Sequence, residues 1–538
     1  MRITSNKESK AMNQEAIEKL FFHMEKRPEA EGFFLEGKGC RFGELDQRAC
    51  RYAAGLQSRG VEKGDRVVSI QESGLEVVEV LVGHHRLGAI HVPVNTRYRE
   101  KEIGHILEDA RPKAVVVGAS MEARRVLSEI EMPASVEFVV VVDDGEEGAT
   151  GLEIPGVEEV GYEALIQEGE RVGLKRPLLF DQDRALLIYT SGTTGPSKGV
   201  EHTFGSVVAG IDALTKLWEW SERDRLVLAL PLFHVHGLCI GIHGTLLRGN
   251  QAEIHRGFDA EKVAGAVGAG GTIFMGVPTM HARLVAAMEE EEGLAQAMSR
   301  ARLITSGSAA LRPDLFRRYE ELTGHRVLER YGMSETMLTI SNPYRGERRA
   351  GAVGFAVPGT TVRIVDEEGE EVKAGELGEV QVRGPSVTRG YWGQKEKTDE
   401  AFTEDGFFRT GDVGMVDDDG YILLRGRASV DIIKSGGFKI SAREIEEVLQ
   451  EHGEVEEIAI VGLSDPSWGE RIAAAVVPAA GVEKSKEEWL EALEDRRLAS
   501  FKRPRQVEIF KEGLPRNALG KVQKHKIQAA MVAGDDPR

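Results

Sequence analysis

Residues 190–198 read "TSGTTGPSK", a run of hydroxyl side chains and glycines that ends in a lysine, directly behind the apolar stretch "RALLIY". Backbone amides, hydroxyls and an ammonium in one short loop make a cradle for phosphate oxygens. The spacing is not that of the common P-loop, which sets Gly before its Lys and Ser or Thr after it. Here Lys198 stands between Ser197 and Gly199. A nucleotide loop of another kind is therefore expected, built from Thr190, Ser191, Gly192, Thr193, Thr194, Gly195 and Lys198. Further along, "ERYGMSET" (residues 329–336) puts an aromatic face, Tyr331, just ahead of a carboxylate, Glu335, and a hydroxyl, Thr336. Two hard oxygen ligands side by side suit a Mg²⁺ that bridges phosphates. "GFFRTGDVG" (406–414) offers Asp412 in a Gly-flanked turn behind an apolar strand, where a carboxylate can hold both ribose hydroxyls. Two basic segments follow: "GRASVDIIKSGGFKI" (426–440), with Arg427 and Asp431, and "PRNALGKVQKHKI" (515–527), with Lys521 behind Gly520. Taken singly, each also reads as a surface turn, an exposed helix start or a solvated lysine. Their conjunction carries the argument.

The elements that must hold these residues alternate. Short β-branched runs ("DRVVSI", "FVVVVDD", "RALLIYT", "RLVLALPLF", "TIFMGVP", "ARLITSGS") are separated by helical patterns such as "SVVAGIDALTKLW" and "EALEDRRL". That alternation predicts an α/β fold of doubly wound sheets. From about residue 350 to 426 the texture becomes strand and acidic Gly turn, as in hairpins, which predicts a small β-rich subdomain. Residues 427–538 read as a separate, small α+β domain, with Ser441 and Glu444 spaced for a capping box. At 538 residues the chain is too long for one core. A net charge of −19 argues against nucleic acid or an anionic membrane as a whole-surface partner, while leaving room for a local basic pocket. No apolar run approaches the roughly 20 residues of a membrane span. The first residues lack a secretory pattern, and Cys40, Cys50 and Cys239 have no metal-like spacing, so a cytoplasmic setting without disulfides is expected.

In this order, the segments resemble the adenylate-forming superfamily: acyl- and aryl-CoA synthetases, luciferases and peptide-synthetase adenylation domains. The likeness runs over nearly the whole chain, from "GDRVVSI" to the last lysine motif. It implies a large N-terminal adenylation domain (1–426) and a small mobile domain (427–538) that turns between two half-reactions. The substrates implied are ATP with Mg²⁺, a carboxylic acid and CoA. The loop 190–198 would clamp the departing pyrophosphate. Gly307, Ser308, Ala309, Tyr331 and Gly332 would line the adenine, with Asp412 and Arg427 at the ribose. Thr190 and Glu335 would meet the metal, Thr336 the α-phosphate, and Lys521 both the acid and the α-phosphate. The hinge region lies after Arg427, with Ser429 or Asp431 as pivot.

Two further expectations concern the acid and its acceptor. "PLFHVHGL" carries His234 where an amino-acid-activating relative would carry an Asp for the ammonium, so amino-acid activation is not expected. The segments "LFHVHGL", "GVPTMHARL", "SGSAAL", "ERYGMSET", "SNPYRGERRAGAVG" and "DIIKSGGFKISAREIE" are most similar to malonyl-CoA synthetases. A dicarboxylate would need a cation for its second carboxylate, and Arg283 is the expected buried guanidinium. His236, Ser306 and Met333 would complete that pocket. CoA would meet Ser435, Gly436, Gly437, Lys439 and Arg471, with the basic run "FKRPR" (501–505) beside them. The competing readings are a ligase for medium-chain or aromatic acids, an enzyme that adenylates a substrate for a carrier protein, and a non-catalytic nucleotide-binding protein. The sequence carries no signal of oligomeric state.

Overall fold

A computed structural model describes residues 13–142, 154, 156–190, 196–428, 431–435, 438–465, 468–494, 498, 502–516 and 521–534. Among them, Val- and Ile-rich runs that are buried on both faces form parallel strands, as the alternation predicts. Six strands, Glu158–Gly161, Phe138–Val141, Ala114–Val117, Arg66–Ile70, Ile90–Pro93 and Arg184–Thr190, lie parallel in that order. Lys198–Thr203 closes this sheet as an antiparallel edge. A second sheet has nine strands. Its parallel centre runs Leu328–Met333, Leu303–Ser306, Ile273–Gly276, Arg225–Leu228, Gln251–Ile254 and Glu31–Leu35. One apolar core joins the two sheets. Leu186 and Ile188 of the first and Leu226, Met275, Leu303 and Leu328 of the second pack with Phe204, Val208 and Ile211 of the helix Phe204–Leu217.

The β-rich stretch forms a four-stranded antiparallel sheet, Thr361–Val365, Gly378–Arg383, Phe408–Val416 and Ile422–Arg427. Residues 432–509 supply a five-stranded sheet whose long hairpin pairs Val455–Asp465 with Gly469–Pro478. The helices Ala442–Leu449 and Lys486–Ala492 pack on it through Ile445, Leu449 and Trp489. No helix among the described residues is long and apolar enough to cross a membrane.

Three local expectations are corrected. Asp412 is not in a turn: it lies inside the strand Phe408–Val416, paired in register with Arg427. The glycines around it mark an irregular step in the ladder rather than a reversal. Only half of the capping box forms: Ser441 Oγ accepts from Glu444 N, while the Glu444 carboxylate leaves to pair with Lys502 at 2.5 Å. "RLVLALPLF" is strand only to Leu228.

Candidate active site

Ligands of parallel α/β sheets sit at the carboxyl ends of the strands, and the expected residues gather there. Thr190 ends one strand, and Thr190 and Lys198 are register partners, so the strand pair pins both ends of the Ser/Thr/Gly loop. Ser191, Gly192, Thr193, Thr194 and Gly195 lie outside the described residues. Ser306 ends the strand Leu303–Ser306, and Tyr331, Gly332 and Met333 end the neighbouring strand. Gly332 is required: a Cβ there would lie 1.9 Å from the Met337 carbonyl oxygen.

The segment 334–336 is held by its backbone. His202 Nε2 lies 2.7 Å from the Ser334 carbonyl, Thr388 N donates to the Glu335 carbonyl (2.7 Å), and Ser386 Oγ donates to the Thr336 carbonyl (3.1 Å). Burial pushes His202 down to about 4, which keeps it neutral as a hydrogen-bond partner. The Glu335 carboxyl is buried and therefore held above the usual carboxylate range; a bond from Tyr391 Oη (3.1 Å) and the charges of Arg427 and Lys198 pull it partly back. Lys198 Nζ stands 4.7 Å from the centre of the same Tyr391 ring. One tyrosine thus touches both the phosphate-loop lysine and the expected metal ligand. Among the described residues no lysine or arginine forms an ion pair with Glu335. A buried carboxylate short of positive charge, with Thr190 the other expected ligand, fits Mg²⁺.

Tyr331 Oη donates to Asp412 Oδ2 at 2.5 Å, and Arg427 Nε reaches Asp412 Oδ1 at 2.9 Å. Burial raises the Asp412 carboxyl; Arg427, Tyr331 and then Lys521 oppose it. Lys521 itself is exposed, and its charge reaches both Asp412 and Asp431. The segment that opens at Lys521 therefore lies towards the edge of this site.

The expected burial of Arg283 needs a correction. Arg283 is not buried. It is exposed on the helix Pro278–Glu290, with its guanidinium 4.9 Å from the Phe258 ring centre. The buried guanidinium is Arg330, one residue before Tyr331 and 6% exposed. Its Nε and Nη2 have no hydrogen-bond partner among the described residues, and burial pushes it down to about 9 with no carboxylate to offset the loss of water. It packs against the backbone of Gly307: a Cβ on that glycine would fall 2.2 Å from Cζ. His236 lies close enough for the Arg330 charge to depress it further than burial already does, and its Nδ1 is 3.5 Å from Ser308 Oγ. Ser308 holds a left-handed backbone (φ 68) at the edge of this cradle. His236 also opens a π-helical stretch, His236–His243, a distortion frequent at functional sites. Ser306 Oγ, Thr336 Oγ1 and His236 Nε2 are likewise buried without partners among the described residues. Native interiors satisfy such atoms, so the unpartnered Arg330, His236 and Ser306 around Gly307 mark a place that suits a polar ligand.

The expected CoA residues are less concentrated. Ser435 is buried, paired through its backbone with Gly469, and Arg471 lies on the same long strand as Gly469. Gly436 and Gly437 lie outside the described residues, and Lys439 is described only through its backbone pairing with Lys434. Of the basic run, Lys502 and Arg503 pair with Glu444 and Glu494, while Arg505 covers Trp468 at 4.1 Å. Sequence reasoning missed Arg330, Tyr391 and His202.

Residues 20–392 match the family model for the AMP-binding enzyme, and residues 444–521 match that for the AMP-binding enzyme C-terminal domain. The chain is 34% identical to a malonate–CoA ligase of Arabidopsis thaliana, over 92% of this chain and 85% of that one. It is 33% identical to an indoleacetate–CoA ligase of Aromatoleum aromaticum, over 89% and 90%. Among solved structures, ATP-bound MatB from Rhodopseudomonas palustris superposes with a TM-score of 0.84 at 33% identity, covering 96% of this chain and 99% of that one. The chain belongs to the AMP-binding enzyme family and is one of its acid–thiol ligases, acting on ATP, a carboxylic acid and CoA.

Proposed function

We propose that the acid is malonate or its methyl-substituted form. The observation that carries this reading is Arg330, a buried guanidinium with no carboxylate partner among the described residues, set against Gly307 and His236. A monocarboxylate has nothing to offer it; the second carboxylate of a short diacid does. The reading moves the diacid contact from Arg283 to Arg330 and keeps His236, Ser306 and Met333 as pocket residues. The likeness to a malonate–CoA ligase supports it, and the comparable likeness to an indoleacetate–CoA ligase is why the acid must be tested.

In the first half-reaction, one oxygen of the reacting carboxylate attacks the α-phosphorus of ATP, the bond to the β-phosphate oxygen breaks, and pyrophosphate leaves. Lys521 would neutralise the two approaching anions, while Lys198 and the loop 190–198 would hold the departing charge. Thr336 would donate to the α-phosphate, and Tyr331, Asp412 and Arg427 would seat the nucleoside. Thr190 and Glu335 would hold Mg²⁺, which would supply positive charge against the phosphates. In the second half-reaction the CoA sulfur attacks the acyl carbon and AMP leaves, with Ser435, Lys439 and Arg471 at the CoA side. We place the division between the two moving bodies near residues 426–431.

Pyrophosphate release with a panel of acids, each with and without CoA, tests the acid. Malonate should exceed propionate, hexanoate, benzoate and indoleacetate in kcat/KM. A monocarboxylate that outruns malonate overturns the reading.

A further inference from the structure

The last helix, Lys524–Gly534, opens on a lysine that is neither at the surface nor in the nucleotide site. Lys524 Nζ lies 2.6 Å from Asp431 Oδ1 and 2.8 Å from Glu446 Oε1. Burial alone would push this ammonium down; the two carboxylates outweigh it and hold it above its ordinary range. Both carboxylates are anchored elsewhere. Glu446 Oε1 also accepts from Ile460 N (2.7 Å), which roots it in the five-stranded sheet. Asp431 Oδ2 accepts from Arg427 N (2.8 Å), and Arg427 is the residue that grips Asp412. A continuous path of short polar contacts therefore runs from Asp412 through Arg427 and Asp431 to Lys524.

Lys521 stands three residues before Lys524. On either side of residues 517–520, which lie outside the described residues, Gln523 N donates to the Pro515 carbonyl (2.7 Å) and Arg516 bridges Val522. Fixing Lys524 thus fixes the segment Lys521–Lys524 relative to the strand end at Arg427. We propose that Lys524 is a positioning residue for the first half-reaction: held by Asp431 and Glu446, it sets where Lys521 stands over the α-phosphate. The inference rests on the reading of Lys521 as the adenylation lysine. A purely structural staple for the last helix would instead serve both half-reactions alike.

The test measures the half-reactions separately in the full chain: pyrophosphate release from malonate and ATP, and thioester formation from supplied malonyl-adenylate and CoA. A displacement of about 1 Å at a reacting group costs up to roughly 100-fold. Lys524→Met should lower adenylation kcat on the order of 10- to 100-fold, with KM for ATP and the thioester step within about threefold of the parent. Lys524→Arg should recover most of the loss. Asp431→Asn, which keeps an acceptor for Arg427 N, should show the same asymmetry. The double variant should cost no more than the worse single one, because the two groups act as a pair. Lys521→Ala is the control for the underlying reading. If it slows both half-reactions equally, the role assigned to Lys521 fails. If it shows the asymmetry while Lys524→Met and Asp431→Asn leave adenylation intact, or slow both steps equally, the positioning role is overturned. Should Lys524→Met not fold, the Asp431→Asn result decides alone.

Discussion

Arg330→Met keeps an unbranched apolar stem of the side chain and removes its charged end. In the parent, the guanidinium is buried, with Arg330 6% exposed, beside the Gly307 backbone and His236, and no carboxylate among the described residues pairs with it. Two consequences follow. In the free enzyme, an unpaired buried charge is a cost, so removing it should raise the melting temperature. The depression to about 9 from an ordinary 12.5 sets the scale at a few kcal/mol, since each unit corresponds to about 1.4 kcal/mol. With malonate bound, the same substitution leaves the distal carboxylate buried and unpartnered, which costs about 2–5 kcal/mol. That is on the order of 30- to 3,000-fold in kcat/KM for malonate. Propionate and butyrate should be unchanged or improved, and Arg330→Lys should recover only part, because an ammonium cannot make two parallel bonds to a carboxylate. Arg283→Ala, at an exposed position, should change malonate kcat/KM by less than about threefold. The assay is pyrophosphate release with each acid, alongside thermal unfolding. If Arg330→Met keeps malonate efficiency within threefold while Arg283→Ala loses it, the diacid is met at Arg283 and the reasoning from burial is wrong.

Lys521→Ala should reduce adenylation by about 100-fold or more while sparing thioester formation from a supplied adenylate; equal loss in both steps would make that lysine structural. Asp412→Asn should weaken ATP more than the acid, because Asp412 links Tyr331 and Arg427 where the ribose is seated; an unchanged Michaelis constant for ATP removes it from the nucleotide site. Acidification from pH 7.5 to 5.5 should destabilise the fold. Burial holds His84 down to about 3 and His202 and His243 down to about 4, so the folded state stays neutral there while the unfolded chain binds protons near 6.5. Each contributes about 1.4 kcal/mol over that step. Glu329, pushed up to about 7, works in the opposite direction and offsets one to two of them. A melting temperature that holds or rises on acidification would contradict this assignment.

The sequence made the layers legible because their signals are local. A short β-branched run such as "FVVVV" reads as a buried strand, as Phe138–Val141 is, and the phosphate loop announces itself by composition and by the apolar strand before it. Asp412 was recognisable by type and spacing but was misread as a turn residue, since glycines within a strand look like punctuation until the register is known. The burial of Arg283 was misjudged for a different reason. Arg283 and Arg330 are equally polar in a string of letters, and only the approach of Gly307 to one of them separates a buried guanidinium from an exposed one. A usable signal existed: Arg330 falls inside a strand that runs between apolar residues and the Tyr331 motif, a costly place for an unpaired charge. Tyr391 and His202 act through contacts to residues more than 50 positions away, Glu335 and Ser334, which no spacing rule reveals.

The central claim is that a buried arginine selects a diacid. It is tested most directly by competition: equal concentrations of malonate, hexanoate and indoleacetate offered to the enzyme with ATP, Mg²⁺ and CoA, and the thioesters formed counted by mass spectrometry at low conversion. The account predicts malonyl-CoA in excess of the other two by at least about tenfold, and loss of that excess in Arg330→Met. Hexanoyl- or indoleacetyl-CoA as the major product of the parent enzyme would contradict it.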